Sequence, residues 1–351
     1  MIDFIIVGNG LAGISFAEIA LQHNKSIFVF DNNSQPSSKV AGGLYNPVIL
    51  KRFSEVWKAK EQIDFAFPLY HTIQSRLNVI FDYELPILRK LFSTEEQNNW
   101  FQAADKLNLA PFLELKLVKQ KYDALDSPFH YGKVNHTGYL EISTLIESYS
   151  KYLKSLDSYS NDTFDYNAIQ FLEDTIKYKD IQAKNIIFAE GFGLHSNPFF
   201  NDLPLDGTKG ELLIIKAPNL KLDVVIKSSV FILPIGNDLY KVGATYDWKD
   251  KTNNPTEEGK KELVDKLKEL ISCDFEIVEH FAGVRPTVKD RRPLVGTHPI
   301  HSQLHVLNGL GTRGVMLGPY LANQLFQHIE NAVPLENEIN IERCYKKSRN
   351  S

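Results

Sequence analysis

Phe4-Ile5-Ile6-Val7-Gly8-Asn9-Gly10-Leu11-Ala12-Gly13 is an apolar run that passes into G-x-G-x-x-G and opens the apolar-periodic stretch Leu11 to Leu21. That order predicts strand, glycine turn and helix. The first glycine makes the tight turn, the second lets backbone approach a pyrophosphate, and the third lets the helix pack closely on the sheet. A helix N-terminus at that point offers free N–H groups and the positive end of its dipole to an anion. A second apolar run, Ile27-Phe28-Val29-Phe30, ends in Asp31, eighteen residues after Gly13, where a carboxylate accepts hydrogen bonds from ribose hydroxyls. Strand, helix and acid together predict an adenine dinucleotide held by Gly8, Gly10, Leu11, Ala12, Gly13, Asp31 and Asn32. The motif leaves FAD and NAD both open.

At 351 residues the chain exceeds one ordinary hydrophobic core, so two domains of roughly 100 to 200 residues are expected. Its 43% hydrophobic and 23% charged residues describe a globular protein. A formal net charge of −4 gives no global field that draws a polyanion. Cys273 and Cys344 lie far apart without a C-x-x-C, which reads as two free thiols of a reducing compartment and no metal site. The N-terminus has no basic leader before the first strand, and no apolar run approaches the ~20 residues that span a bilayer. The expectation is a cytoplasmic chain, intact from its first residue, with no membrane partner.

Further along, Ala41-Gly42-Gly43-Leu44-Tyr45-Asn46-Pro47 supplies small-residue backbone suited to close ligand approach. A helical pattern runs from Phe53 to Leu77, interrupted by Pro68. Ser93 with Glu96 forms a capping box for a helix reaching about Leu107. Leu113 to Val118 and Phe129 to Val134 read as strands, and Ile142 to Leu156 as a helix. The apolar run Ile186-Ile187-Phe188-Ala189 enters Glu190-Gly191, a second place where backbone meets the dinucleotide. From Lys209 the chain changes to consecutive strands, Glu211 to Lys216, Val224 to Ile226, Val230 to Leu233, Leu239 to Thr245 and Phe275 to Val284, interrupted by one helix, Thr256 to Leu270. Consecutive strands predict an antiparallel sheet. His305 to Asn308 then returns to the nucleotide domain, followed by the glycine loop Gly309 to Gly314 and a helix from about Gly318 to Asn331. The Lys- and Ser-containing last residues read as a frayed terminus.

These motifs in this order resemble the FAD-dependent D-amino acid oxidase superfamily, whose members include glycine oxidase, sarcosine oxidase and the oxidative module of a tRNA-modifying enzyme. The resemblance spans nearly the whole chain. It rests on the N-terminal glycines with Asp31, Ala41-Gly42-Gly43, Ala189-Glu190-Gly191, Lys209-Gly210-Glu211, Gly283-Val284-Arg285-Pro286 and the loop through Gly314. It implies FAD, and an α/β fold with an added antiparallel sheet. The FAD-binding domain is Rossmann-like, of the glutathione-reductase type, discontinuous over 1–48, 140–205 and 286–351; the substrate domain takes 49–139 and 206–285. It adds Ala41, Gly42, Gly43, Leu44, Ala189, Glu190, Gly191, Gly210, Arg285, Gly309, Gly311, Thr312, Arg313, Gly314 and Val315 to the cofactor site. Non-covalent FAD is expected, because the family's tethering cysteine and histidine have no counterparts here.

The same resemblance implies the chemistry. Arg285 forks onto a substrate carboxylate, a task that a planar guanidinium suits; the ordinary alternative is a structural ion pair. Arg313 is a second cation for that carboxylate or the flavin edge. Tyr246 covers the substrate, and Lys241 aligns with a lysine that sarcosine oxidases place on the oxygen side. Positions 241 and 246 have opposite parity on a regular strand, so both assignments hold only with a bulge or turn between them. Lys51 and Arg52 read as a solvated helix start. The expected reaction is hydride transfer from the carbon beside an amine to flavin, giving an imine that water hydrolyses, with oxygen or another acceptor taking the electrons. The expected substrate is glycine, an N-alkylglycine or a D-amino acid. The alternatives are removal of a carboxymethyl group from a modified uridine of tRNA, and an amine dehydrogenase with another acceptor.

Overall fold

A computed structural model describes the backbone of residues 1–348. The expected start is present: strand Ile2–Val7 is buried over its last four residues and leads through the glycine turn into helix Leu11–Gln22, almost wholly buried. Strand Ile2–Val7 is the centre of an eight-stranded sheet, with Ile27–Phe30 parallel on one side and Ile181–Phe188 parallel on the other. Leu304–Asn308 extends it in parallel beyond Ile181–Phe188. The chain therefore leaves this sheet and returns to it late, as the recurrence of apolar runs at 186 and 305 predicts. Helix Gly314–Asn331 packs on Leu11–Gln22. A Cβ at Gly318 would lie 3.2 Å from Ser15 Oγ and 3.3 Å from Leu11 O, so the two helices cross closely.

The second sheet has seven strands, ordered Glu276–Arg285, Thr208–Lys216, Leu239–Gly243, Phe231–Pro234, Val225–Lys227, Ile87–Lys90, Tyr131–Val134. It is antiparallel except where Val225–Lys227 runs parallel to Ile87–Lys90, a pairing between distant segments that consecutive-strand reasoning does not reach. Its inner face packs against helix Glu257–Lys268 in a core that includes Leu213, Ile215, Val242, Leu263 and Leu267.

Several local expectations need correction. Leu113 and Val118 make only isolated bridges, to Val134 and Tyr131, and the segment between them is a bend in irregular backbone rather than strand. The helix expected from Phe53 begins at Ala59, after a short strand at Ser54–Glu55, and passes through Pro68 to Leu77. Ser93 Oγ caps the Glu96 N–H at 3.1 Å as expected, but Glu96 accepts from Phe92 N–H rather than Ser93, and the helix stops at Ala104. The last long helix starts at Gly314, one turn before Gly318, and carries Pro319 inside it. Proline has no N–H to give the carbonyl four residues back, and that carbonyl, Val315 O, accepts instead from the Tyr70 hydroxyl at 2.7 Å. Glu342–Ser348 is helical; the remainder of the expected frayed end, 349–351, lies outside the described residues. Among the described residues, no helix is long and apolar enough to cross a membrane.

Candidate active site

The C-terminal ends of the parallel strands open onto a cavity of about 700 Å³, lined by Val7, Phe30, Ala189 and Asn308 from the first sheet and by Gly210, Leu212, Phe231, Gly283 and Arg285 from the second. Crevices at the carboxyl ends of parallel strands are where such sheets take ligands. Helix Leu11–Gln22 has no side-chain cap and no acidic residue in its first turn, so its leading N–H groups are left for an external anion. Gly8 sits at φ +103°, and a Cβ there would meet Ala189 O at 2.4 Å. A Cβ at Gly13 would meet Gly8 O at 1.9 Å; Gly13 does not line the cavity but brings the helix onto the turn. Asp31 and Asn32 line the cavity, and burial pushes the Asp31 carboxyl up against hydrogen bonds from Asn33 and Asn9 backbone. Asn9 donates to Ser150 at 2.8 Å, while its buried Oδ1 has no partner among the described residues. An uncapped helix, a half-buried carboxylate and an unsatisfied buried amide oxygen fit a dinucleotide.

Most of the remaining residues expected at the cofactor line the same cavity. Gly8, Gly10, Leu11, Ala12, Ala41, Gly42, Gly43, Leu44, Ala189, Glu190, Gly191, Gly210, Gly311, Thr312, Gly314 and Val315 all line it. Gly309 does not; it lines a neighbouring cavity. Glu190 is half-buried, accepts from Tyr166 Oη and from Asn197 Nδ2 at 2.8 Å, and desolvation lifts its carboxyl to about 7. Helix Gly314–Asn331, like the first, has no side-chain cap and no acid in its first turn, so a second set of free N–H groups starts at the cavity wall.

Arg285 ends strand Glu276–Arg285 and crosses the neighbouring strand at Gly210, where a Cβ would lie 1.8 Å from Nη2. Glycine at 210 is what lets the guanidinium lie flat there. Its Nη1 donates to Thr245 O at 3.3 Å and its carbon sits 4.7 Å from the Tyr246 ring centroid. Among the described residues it has no carboxylate partner, so the structural ion pair that would explain it otherwise is absent. Burial pulls its pKa down, the signature of a cation waiting in a dry site. Arg313, the N-cap of the last helix, also lines the cavity with no hydrogen-bonded or ion-paired partner among the described residues, and burial likewise pulls it down.

The parity conflict is resolved by an extra residue. Gly243 pairs with Leu212 and Asp247 with Lys209, four steps along one chain against three along the other, so a bulge lies between. Tyr246 thereby reaches the cavity. Lys241 is not among the lining residues; its ammonium lies 3.9 Å from Glu141. Lys51 belongs to a turn rather than a helix start and lines the cavity edge. Among the lining residues that sequence reasoning did not single out are Lys227 and Phe231. Lys227 ends a strand just before the Ser228–Val230 connection, the place where a solvated lysine is ordinary, and only the parallel pairing with Ile87–Lys90 turns it inward.

The chain matches the family described as DAO, FAD dependent oxidoreductase, over residues 3–327. Glycine oxidase of Bacillus subtilis is 22% identical over 344 residues, spanning 90% of this chain and 90% of that protein. The tRNA 5-methylaminomethyl-2-thiouridine biosynthesis bifunctional protein MnmC of Marinobacter nauticus is 27% identical over 194 residues, covering 47% of this chain and 30% of that protein. The crystal structure of iminodiacetate oxidase from Chelativorans sp. BNC1 has the same fold, with a TM-score of 0.79 over 96% of this chain and 98% of that one at 17% identity. Strand, glycine turn, acid and returning helix are the parts of one machine: this chain belongs to the DAO family of FAD dependent oxidoreductases.

Proposed function

We propose that this enzyme oxidises the C–N bond of a small carboxylated amine, such as glycine, an N-alkylglycine or a D-amino acid. The observation that carries the reading is the half-buried Arg285, without a carboxylate partner among the described residues, held over Gly210 at the wall of the FAD cavity. Arg285 accepts the substrate carboxylate in a fork, a charge-assisted pair that is strong in a dry site. The Tyr246 ring lies over that guanidinium, 4.7 Å from its carbon. Arg313 adds a second cation that helps hold negative charge. FAD, when bound, supplies the acceptor for the two electrons that leave with the C–H bond as hydride. The substrate nitrogen lone pair completes the imine, and water hydrolyses it to an amine and an oxo acid. An amine that enters neutral needs no strong base, and the cavity's acids, Asp31, Asp162 and Glu190, come from the other sheet and its loops. Orientation at the carboxylate is then the main contribution, with fixed near-attack geometry supplying on the order of 7 to 11 kcal/mol in favourable cases.

The partial likeness to MnmC supports a second reading, in which the oxidised carboxymethylamine is borne on a uridine of tRNA. Aerobic incubation of the FAD-loaded protein with each amine tests the first: oxo acid and released amine should appear in equal amounts. Turnover of a modified tRNA with none of the free amines would favour the second.

A further inference from the structure

A second cavity, of about 830 Å³, adjoins the first and shares Lys51, Lys227, Tyr246 and the Gly311–Arg313 turn with it. It includes none of Gly8, Gly10 and Asp31, so it is not the dinucleotide's pyrophosphate end. Its lining carries Lys51, Arg89, Lys227, Arg291 and Arg313, and neither aspartate nor glutamate. Only Arg89 is ion-paired, to Glu96 at 2.7 Å, and its buried Nε still has no partner. The side chains of the other four have no hydrogen-bonded or ion-paired partner among the described residues. Lys227 is the most telling of them. Its ammonium stands 5.8 Å from the Phe231 ring centroid, and burial, with Arg89 and Lys266 adding repulsion, pulls it down to about 8. Cations gathered without counter-charge cost stability unless an anion arrives. Phe92, Trp248 and Tyr246, exposed by 50%, 44% and 61%, add three rings to the same walls. Cations interleaved with exposed rings suit a phosphate next to a flat base.

We propose that this second cavity is a vestibule that binds a phosphate ester on the far substituent of the amine, with Lys227 as its specificity-determining residue. The proposal rests on the reading of the first cavity as the site of amine oxidation, and it names what the other end of the substrate carries. A carboxymethylamine held at Arg285 would extend past Tyr246 and Lys227 into the vestibule.

Calorimetric titration of the FAD-loaded protein at low salt with uridine 5′-monophosphate, and with uridine as the uncharged control, tests this directly. The monophosphate should bind at least about tenfold more tightly, with the advantage shrinking as salt rises. Lys227→Met should reduce that advantage to less than about threefold, and Arg291→Ala should weaken it by about two- to fivefold, each with flavin content and melting temperature checked. Inorganic phosphate competing as well as the ester would support an anion site that reads phosphate alone. A uridine dinucleotide gaining further affinity would support a phosphodiester chain as the source. Equal binding of uridine and its monophosphate, or an undiminished advantage in folded Lys227→Met and Arg291→Ala, overturns the proposal. Because binding is read without turnover, bleaching of the flavin by amines without ester binding sinks the vestibule alone, whereas ester binding without bleaching by any amine sinks the oxidation reading.

Discussion

Replacing Arg285 with methionine separates a substrate clamp from a structural arginine, because one role is read in catalysis and the other in stability. A buried arginine in an ion pair leaves an orphaned charge when it is removed, at about 3 to 5 kcal/mol of stability. Arg285 has no such partner among the described residues; its removal deletes a desolvated cation and one long hydrogen bond, 3.3 Å to Thr245 O. The stability change should therefore stay within about 1 kcal/mol in either direction, a shift in melting temperature of no more than about 2 to 4 °C. Catalysis should suffer far more. Losing one side of a buried, hydrogen-bonded charge pair costs about 2 to 5 kcal/mol, which lowers kcat/KM for a carboxylated amine by roughly 30- to 4,000-fold. The assay pairs a thermal melt of the FAD-loaded variant with steady-state kinetics on the best amine. A large drop in melting temperature with kcat/KM nearly unchanged would refute the clamp.

Gly210→Ala should act on the same group, since its Cβ would lie 1.8 Å from Arg285 Nη2; kcat/KM should fall at least about tenfold with FAD still bound, as a displaced guanidinium loses one charge-assisted hydrogen bond. Asp31→Ala should weaken FAD binding by roughly 10- to 150-fold, the worth of a hydrogen bond to a charged group, measured by titrating apoprotein with FAD. Denaturation should release all the flavin into the supernatant, and colour retained in the precipitate would contradict non-covalent binding. Glu190 gives a pH test: its folded carboxyl is raised from 4.5 to about 7, so between those values the folded state keeps a proton that the unfolded chain has lost. Stability of the apoprotein from this group is then full below about pH 4.5 and declines as pH rises towards 7, by on the order of 3 kcal/mol. Glu190→Gln should flatten that part of the profile, and calorimetry from pH 5 to 8 reads it.

The dinucleotide half of the site was legible because its determinants are local. A glycine turn, a buried strand and an acid at the next strand's end need only near neighbours in sequence, and Gly8, Gly10 and Asp31 stand where the spacing puts them. Arg285 and Tyr246 were singled out through motif resemblance, and both line the cavity. Parity made a bulge the condition for Tyr246 and Lys241 to share a face; the extra residue after Gly243 supplies it, yet Lys241 lies by Glu141 and is not among the lining residues. Lys227 was hidden for a different reason. Its surroundings come from Ile87–Lys90, far away in the chain, and no local pattern marks a lysine at a strand end as buried. The helix at Gly314 begins one turn earlier than expected, and the Tyr70 hydroxyl, from another helix, satisfies the carbonyl that Pro319 inside it leaves free.

The most direct test of the account is to mix the FAD-loaded protein, without oxygen, with glycine, sarcosine, iminodiacetate, a panel of D-amino acids and matched amines lacking a carboxylate, following the flavin's visible absorbance. The account predicts bleaching by at least one carboxylated amine, slowed at least about 30-fold in Arg285→Met, and no comparable bleaching by the amines without a carboxylate. Equal bleaching by both sets, or none by any carboxylated amine, would contradict it.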